Sequence, residues 1–270
     1  MIPDAGITDT EFGLFQRLIY KIAGISLSEA KKPLLVGRLN RRLKHYGLAS
    51  YGQYYRMLAS GEHPAELQHM VDLLTTNETY FFREPQHFAF LRDEILSRHN
   101  RAAPFRAWSA ASSSGEEAYT LAMVLAESLG RAPWEIVGSD ISTQVLAKAA
   151  QGHYSLQRTE GIPPALMRKY CLKGVRAQEG SFLIVPELRQ HTAFYQINLM
   201  QPVDPGIGDF DVIFLRNVMI YFDLETKARV VHHLLPRLKA HGHLIIGHSE
   251  TLNGITDRVS MLRPTIYRKR

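Results

Sequence analysis

The sequence predicts an α/β fold in which a helical N-terminal domain precedes a parallel sheet with covering helices. Three observations predict it. Residues 1–75 carry apolar side chains at helical spacing and no strand pattern, whereas strand-like apolar runs alternate with helical patterns from Phe105 onward. Residues 153–197 break that alternation with glycines, prolines and a β-prone run at 182–185, which predicts an inserted small antiparallel sheet. The length of 270 residues is sufficient for two such domains.

The N-terminal segment predicts four helices. Gly24 ends the first pattern, whose apolar residues are Phe12, Phe15, Leu18, Ile19 and Ile22. The second is expected to begin after an N-cap at Ser28 and to end at Gly47. Its buried stripe is expected to consist of Leu35, Leu39, Leu43 and Tyr46. Shorter helices are expected after Ser50 and from Pro64.

The remaining chain divides into a linker at 76–94 and a sheet domain at 95–270, with the insertion at 153–197. The strand-like runs of the sheet domain are 105–110, 136–138, 210–215 and 243–247. Helical patterns separate these runs, which favours parallel pairing.

A small-residue turn at 111–115 follows the first of these strands and precedes a helix that begins at Glu116. Small side chains let a ligand approach the backbone, and the helix N-terminus offers free amides and a positive dipole end. Asp140 ends the next strand, roughly 20 residues or slightly more beyond the turn, where a carboxylate can bind ribose hydroxyls. Together they indicate an adenosine-containing cofactor. The alternatives are that Asp140 only caps the next helix and that Glu116 and Glu117 are only favourable first-turn charges.

Composition limits the function classes. The net charge of +6 favours acidic partners, whether nucleic acid, a membrane surface or a carboxylate-rich protein. The apolar runs are far too short to span a bilayer, and the N-terminus has no secretion signal pattern, so we expect a cytoplasmic protein.

The single cysteine, Cys171, is expected to be a packing residue. No metal site is expected, because no third ligand accompanies the paired histidines His232, His233, His241 and His243.

Five blocks add information: TTNETYFFRE at 75–84, WSAASSSGEE at 108–117, SDI at 139–141, FLRNVMIYF at 214–222 and GHSE at 247–250. In order and spacing they resemble the CheR family of chemoreceptor glutamate methyltransferases. The resemblance covers essentially the whole chain. It implies an all-α N-terminal domain and a class I, Rossmann-like methyltransferase domain with a small β-subdomain. It also implies S-adenosylmethionine as the cofactor and S-adenosylhomocysteine as the product.

The same resemblance implies the site residues. Cofactor contacts are expected from Asn77, Thr79, Arg83, Glu117, Asp140, Asn198, Leu199, Arg216 and Asn217. Arg83 and Tyr221 are expected beside the methyl group as catalytic residues. Taken singly, Arg83 could be a surface ion-pair residue and Tyr221 a core tyrosine. Asn198 could likewise be a turn residue ahead of Pro202.

A basic face on the second predicted helix suits an acidic receptor helix. It is formed by Lys31, Arg38, Arg41, Arg42 and His45. We expect Arg38, Arg41 and Arg42 to bind the substrate, the cytoplasmic helical bundle of a chemoreceptor in membrane receptor arrays. The alternative is a solvated face. Nucleic-acid binding is not expected, because the aromatic residues of a single-strand platform are missing from this helix.

Direct docking on the receptor bundle is favoured over binding of a receptor tail peptide. The loop at 173–180 keeps two glycines of tail-binding family members but has Arg176 where they tend to have another. A regulatory partner is possible in this family, and we expect a monomer with no membrane insertion.

Other readings remain open at this point. A regulatory module could retain the fold without turnover, although the intact motif residues argue against that. An RNA or small-molecule methyltransferase could share the fold, but residues 216–221 lack the Pro-Pro pair common in enzymes that methylate exocyclic amines.

Overall fold

The helical domain is built from four helices. A computed structural model describes residues 6–270 of the chain. The helices of this part are α1 (Asp9–Ala23), α2 (Lys32–His45), α3 (Tyr51–Ala59) and α4 (Pro64–Leu74). A capping box starts α1, because the Thr8 hydroxyl accepts from the Glu11 amide while the Glu11 carboxylate accepts from the Thr8 amide. Gly24 ends α1 at φ 70°, a left-handed conformation in which a side chain would be strained.

The start of α2 differs from the expectation. Ser28 precedes a 3₁₀ turn, Glu29–Lys31, and its hydroxyl caps no amide. The α-helix begins only at Lys32, where Pro33 fits the first turn because its missing N–H would have no helical partner there. Tyr46 lies beyond the helix and is 37% exposed, so only the first three residues of the expected stripe are buried.

A seven-stranded sheet forms the second domain. Its strands are β1 (Phe105–Ser109), β2 (Trp134–Asp140), β6 (Thr192–Gln196), β7 (Phe210–Leu215), β8 (Leu238–Ile246), β9 (Val259–Arg263) and β10 (Ile266–Lys269). The order is β6-β2-β1-β7-β8-β10-β9. β6, β2, β1, β7 and β8 pair in parallel, while β10 is antiparallel to both of its neighbours.

Two hydrophobic cores cover the two faces of this sheet. In β7, Ile213 and Leu215 point into one core and Val212 and Phe214 into the other, as the two-residue period of a strand requires. The first core is shared with the helical domain. The second is covered by helices α5 (Pro85–Phe90) and α6 (Glu116–Leu129) and by a small sheet in the insertion.

The insertion contains a three-stranded antiparallel sheet. It has the order β3-β5-β4, from β3 (His153–Ser155), β4 (Cys171–Lys173) and β5 (Ser181–Ile184). Short helices α8 (Pro164–Tyr170) and α9 (Pro186–Arg189) flank it. The expected insertion at 153–197 includes β6, but β6 pairs with β2 and belongs to the main sheet.

The other helices are α7 (Thr143–Gln151), which follows β2, and α10 (Leu224–Leu234), which precedes β8. α5 continues into a π-helical segment, Leu91–Ile95, and a 3₁₀ turn, Leu96–Arg98. Within the described range, no helix combines the length and apolarity needed to cross a bilayer.

Candidate active site

A cavity of about 430 Å³ lies at the carboxyl ends of β1, β2 and β7. The linker and the loop between α1 and α2 complete its wall. All ten residues expected at the cofactor and the methyl group line it: Asn77, Thr79, Arg83, Glu117, Asp140, Asn198, Leu199, Arg216, Asn217 and Tyr221. Ligands of open α/β sheets bind at this edge, beside the point where strand order reverses.

Asp140 fixes the small-residue turn to the end of β2. One carboxylate oxygen accepts from the Ser113 amide and the other from the Ser142 amide, each at 3.0 Å. Ser113 has φ 48° and donates its hydroxyl to the Asn77 carbonyl at 3.0 Å, which joins the turn to the linker. Burial raises the pKa of Asp140. Ser142, not Asp140, occupies the N-cap position of α7.

Arg216 is the centre of a buried charge network. Its guanidinium pairs with Glu117 at 2.9 Å and with Glu84 at 3.1 Å, and it donates to the Arg83 carbonyl. Glu117 also accepts from the Ser109 hydroxyl at 2.7 Å. Only 1% of the Arg216 side chain is exposed. Although burial opposes the charge on Glu84, Arg216 and its hydrogen-bond donors hold the pKa of Glu84 below its ordinary value.

Asn217 is held in a left-handed conformation, φ 56°, by two carboxylates. Its backbone amide donates to Glu250 at 2.9 Å and its side-chain amide to Glu84 at 3.1 Å. Glu250 also accepts from the Gly247 amide at 2.7 Å, and a Cβ at Gly247 would lie 2.6 Å from the Asn217 side chain. Burial raises the pKa of Glu250.

Glu84 and Glu250 are supporting residues that the sequence did not single out. Each ends one of the five sequence blocks, at 75–84 and 247–250. Their shared partner, Asn217, lies 133 residues from Glu84 and 33 residues from Glu250 along the chain. The signal that could have identified them is an acidic residue at the end of a motif that otherwise supplies ligand contacts.

Arg83 and Tyr221 line the cavity from two different segments, the linker and the turn after β7. Arg83 donates to the Glu78 carbonyl at 2.9 Å and lies over the Tyr80 ring at 5.6 Å. Tyr221 ends the 3₁₀ turn Met219–Tyr221, and its carbonyl accepts from the Ser26 amide at 2.9 Å. Burial raises the pKa of Tyr221, so its phenol is protonated at neutral pH.

The Asn198 side chain is already hydrogen-bonded within the chain. Its amide donates to the Ile22 carbonyl at 2.7 Å, and its oxygen accepts from the Met200 amide at 3.0 Å. These contacts are those of a turn residue, as the alternative interpretation of Asn198 predicts. Asn198 and Leu199 nevertheless line the cavity.

The three arginines expected to bind the substrate have different environments. Arg38 points to the domain junction and donates to the carbonyls of Leu74 and Thr75 at 3.1 and 2.9 Å. Arg42 makes a two-pronged ion pair with buried Glu66 at 2.8 and 2.5 Å. Arg41 is exposed and has no ion pair within residues 6–270. The Arg42 guanidinium is thus already paired within the helical domain, and substrate binding by these three arginines stays a prediction.

The cavity fits an adenosine cofactor that carries a positive sulfonium. Its volume falls in the range of small-molecule sites. The Asp140 carboxylate accepts from the backbone amides of Ser113, Ser142 and Ile141, and a carboxylate has about four acceptor positions, so capacity remains for a ribose hydroxyl. The apolar side chains of Ile141 and Leu199 lie on the same wall.

The parallel sheet with one reversed strand and a cavity at its carboxyl edge define an S-adenosylmethionine-dependent methyltransferase of class I. The chain belongs to the CheR methyltransferase family. The family's all-alpha domain matches residues 10–75, and its SAM binding domain matches residues 77–268. The expected fold class, family and cofactor are confirmed.

Curated relatives match over nearly the full chain. The chemotaxis protein methyltransferase of Escherichia coli (strain K12) is 39% identical over 263 residues, which are 97% of this chain and 91% of the relative. Chemotaxis protein methyltransferase 2 of Pseudomonas aeruginosa is 41% identical over 262 residues, 96% of this chain and 93% of the relative.

Proposed function

We propose that the protein transfers a methyl group from S-adenosylmethionine to glutamate side chains of chemoreceptors and thereby acts in chemotaxis. The observation that carries the proposal is the placement of Arg83 and Tyr221 in one cavity with Asp140 and Glu117. The names of the relatives, which are chemotaxis protein methyltransferases, support it. No feature of the cavity favours RNA, a small-molecule acceptor or a non-catalytic role.

The reaction requires no general base. A glutamate carboxylate, with a pKa of about 4.3, is ionised at neutral pH and can attack directly. When bound, the cofactor supplies a methyl group on a sulfonium leaving group. The protein's task is to align the carboxylate oxygen with that methyl group and to exclude water.

Arg83 and Tyr221 are suited to that alignment. The Arg83 guanidinium uses one N–H on the Glu78 carbonyl and keeps others for a planar carboxylate. Tyr221 offers a single hydroxyl donor that burial keeps protonated. Binding the ground-state carboxylate too tightly would slow the reaction, since the nucleophile loses charge in the transition state.

The receptor is expected to dock beside the mouth of the cavity. Lys31 lines the cavity, and Arg41 and His45 are exposed further along the same helical segment. These side chains suit the acidic methylation helices of a receptor bundle in membrane arrays. Arg38 contributes indirectly, because it joins α2 to the start of the linker.

The proposal is tested by transfer of labelled methyl groups to receptor cytoplasmic fragments. A fragment with glutamates at its acidic helix sites is expected to take up label, whereas the same fragment with glutamines there is expected to stay unlabelled. Equal labelling of both fragments, or label on RNA alone, would overturn the assignment.

A further inference from the structure

Two exposed charges of opposite sign stand at the mouth of the cofactor cavity. Among the charged side chains that line it in the described part of the chain, only those of Lys31 and Glu78 are exposed. Lys31 ends the 3₁₀ turn before α2, whereas Glu78 belongs to the linker. The mouth therefore presents a cation from the helical domain and an anion from the linker.

The Glu78 carboxylate is available to a substrate. Within residues 6–270 it makes no hydrogen bond and no ion pair. The backbone carbonyl of Glu78 accepts from Arg83 at 2.9 Å, which keeps the two residues side by side. Burial, followed by the charge of Glu78, raises the pKa of Tyr221, so the carboxylate lies close enough to act on that phenol. A negative charge thus stands beside the two residues that are proposed to receive the acceptor carboxylate.

Two large apolar side chains share the mouth with these charges. Tyr80 and Ile220 line the cavity and are 51% and 49% exposed. The Tyr80 ring centre lies 5.6 Å from the Arg83 guanidinium. A receptor helix that places a glutamate in the cavity would cover both apolar side chains and exclude water from the mouth. Interactions with the Glu78 charge would become stronger there, because less water screens them.

We propose that Glu78 determines which receptor glutamates are methylated, by disfavouring an acceptor that has a second carboxylate one helical turn away. The inference rests on the proposed function and deepens it. Residues three or four positions apart lie on one face of a helix, with about 5–6 Å between their Cβ atoms. When the acceptor enters the cavity, such a neighbour lies at the mouth. Glu78 repels a carboxylate at that position but not a neutral or basic side chain.

The charge of Glu78 is compatible with docking of an acidic helix. Carboxylates further from the acceptor are attracted by Lys31 and by exposed Arg41. The acceptor carboxylate itself meets the Arg83 guanidinium next to Glu78. Glu78 therefore ranks the glutamates within one acidic helix and does not reject the helix as a whole.

Receptor fragments with a single acceptor glutamate test the proposal. The residue one turn before or one turn after the acceptor is Asn in one fragment and Asp in the other, an isosteric pair that adds no second glutamate. The measured quantity is the ratio of kcat/KM for the Asn fragment to that for the Asp fragment, at saturating S-adenosylmethionine. We expect Glu78→Gln to lower this ratio by about fivefold relative to the wild type, at one flanking position or both. An effect of the variant on the cofactor or on the acceptor is common to both fragments and cancels.

Glu62→Gln is the matched control, because Glu62 is exposed between α3 and α4 and does not line the cavity. It is expected to keep the wild-type ratio, and the change in Glu78→Gln is expected to shrink at high salt. A ratio that is the same in the wild type and in Glu78→Gln at both flanking positions would overturn the inference while methyl transfer to receptor glutamates stands. If the wild type labels none of the fragments, the proposed function fails and the inference fails with it.

Discussion

At the scale of single residues, the cavity is organised by acidic side chains that hold other groups in place. Glu84 and Glu117 fix Arg216, and Glu250 fixes the backbone of Asn217. Asp140 fixes the small-residue turn through Ser113. We propose that this arrangement positions the cofactor and leaves Arg83 and Tyr221 to contact the substrate carboxylate.

Tyr221→Phe tests the role of the phenol. We expect kcat to fall by about tenfold or more, because one positioned donor is lost, while the affinity for S-adenosylmethionine changes by less than about threefold. Steady-state kinetics and cofactor titration give the two values. Tyr20→Phe is the matched control, since Tyr20 bonds Asp223 away from the cavity. An unchanged kcat in Tyr221→Phe would remove that residue from the mechanism.

At the scale of elements, the insertion is tied to the cofactor turn by charge and by aromatic packing. Arg158, in the 3₁₀ turn after β3, pairs with the fully buried carboxylate of Glu116 at 2.5 Å. Phe81 of the linker packs on Tyr154 and Phe182 of the small sheet. The insertion therefore supports the wall that carries Thr79 and the start of α6.

A double-mutant cycle on Arg158 and Glu116 measures this support. Arg158→Ala removes the counter-charge of the buried Glu116 carboxylate, which keeps only the Ser114 hydroxyl, so we expect a loss of about 1–2 kcal/mol in the free energy of unfolding and weaker cofactor binding. Adding Glu116→Gln removes that charge and is expected to restore much of both. Denaturant unfolding and cofactor titration provide the readouts. Strictly additive effects of the two changes would contradict the coupling.

The exposed side of α2 is the element expected to meet the receptor. Arg41→Glu is expected to raise KM for receptor fragments by about fivefold, more at low than at high salt, with kcat little changed. Arg131→Glu is the matched control, because Arg131 is exposed at the amino end of β2, opposite the cavity. The docking role would be abandoned if both variants gave the same KM.

The sequence predicted local elements better than partners that are distant along the chain. Helix α1 follows from apolar spacing and its end at Gly24, α3 from Ser50 at its N-cap, α4 from Pro64 in its first turn, and β7 from its apolar run at 212–215. β6 was placed in the insertion because strand pairing with β2 is a non-local property. The ion pair between Arg42 and Glu66 was not predicted for the same reason. A charged residue on a helix face has the same sequence pattern whether its side chain is solvated or paired.

At the scale of the whole molecule, the helical domain and the sheet domain share one core and one cavity. Asp72 of α4 accepts from the amide and hydroxyl of Thr143 in α7 at 3.0 and 2.9 Å. Arg38 bonds the end of α4 where the linker begins. Stability of the helical domain is therefore expected to affect the site.

The pH dependence of unfolding tests the buried ion pair of the helical domain. Burial raises the pKa of Glu66, but Arg42, Tyr54 and Tyr46 outweigh that effect, so the pKa lies below its ordinary value. A lowered pKa contributes stability that is complete above the unfolded value of about 4.3 and is lost as pH falls through the folded value. We expect Glu66→Gln to be less stable near neutral pH but to lose less stability on acidification below about pH 5. Parallel slopes for both proteins in that range would contradict this assignment.

The most direct test of the proposed function is the chemical nature of the methylated product. After incubation with labelled S-adenosylmethionine, receptor fragments are treated with mild alkali. We expect the label to leave as methanol, because a glutamate methyl ester is hydrolysed by base. Label that stays on the fragment through the alkali treatment would mean methylation of nitrogen or carbon and would contradict a carboxylate acceptor.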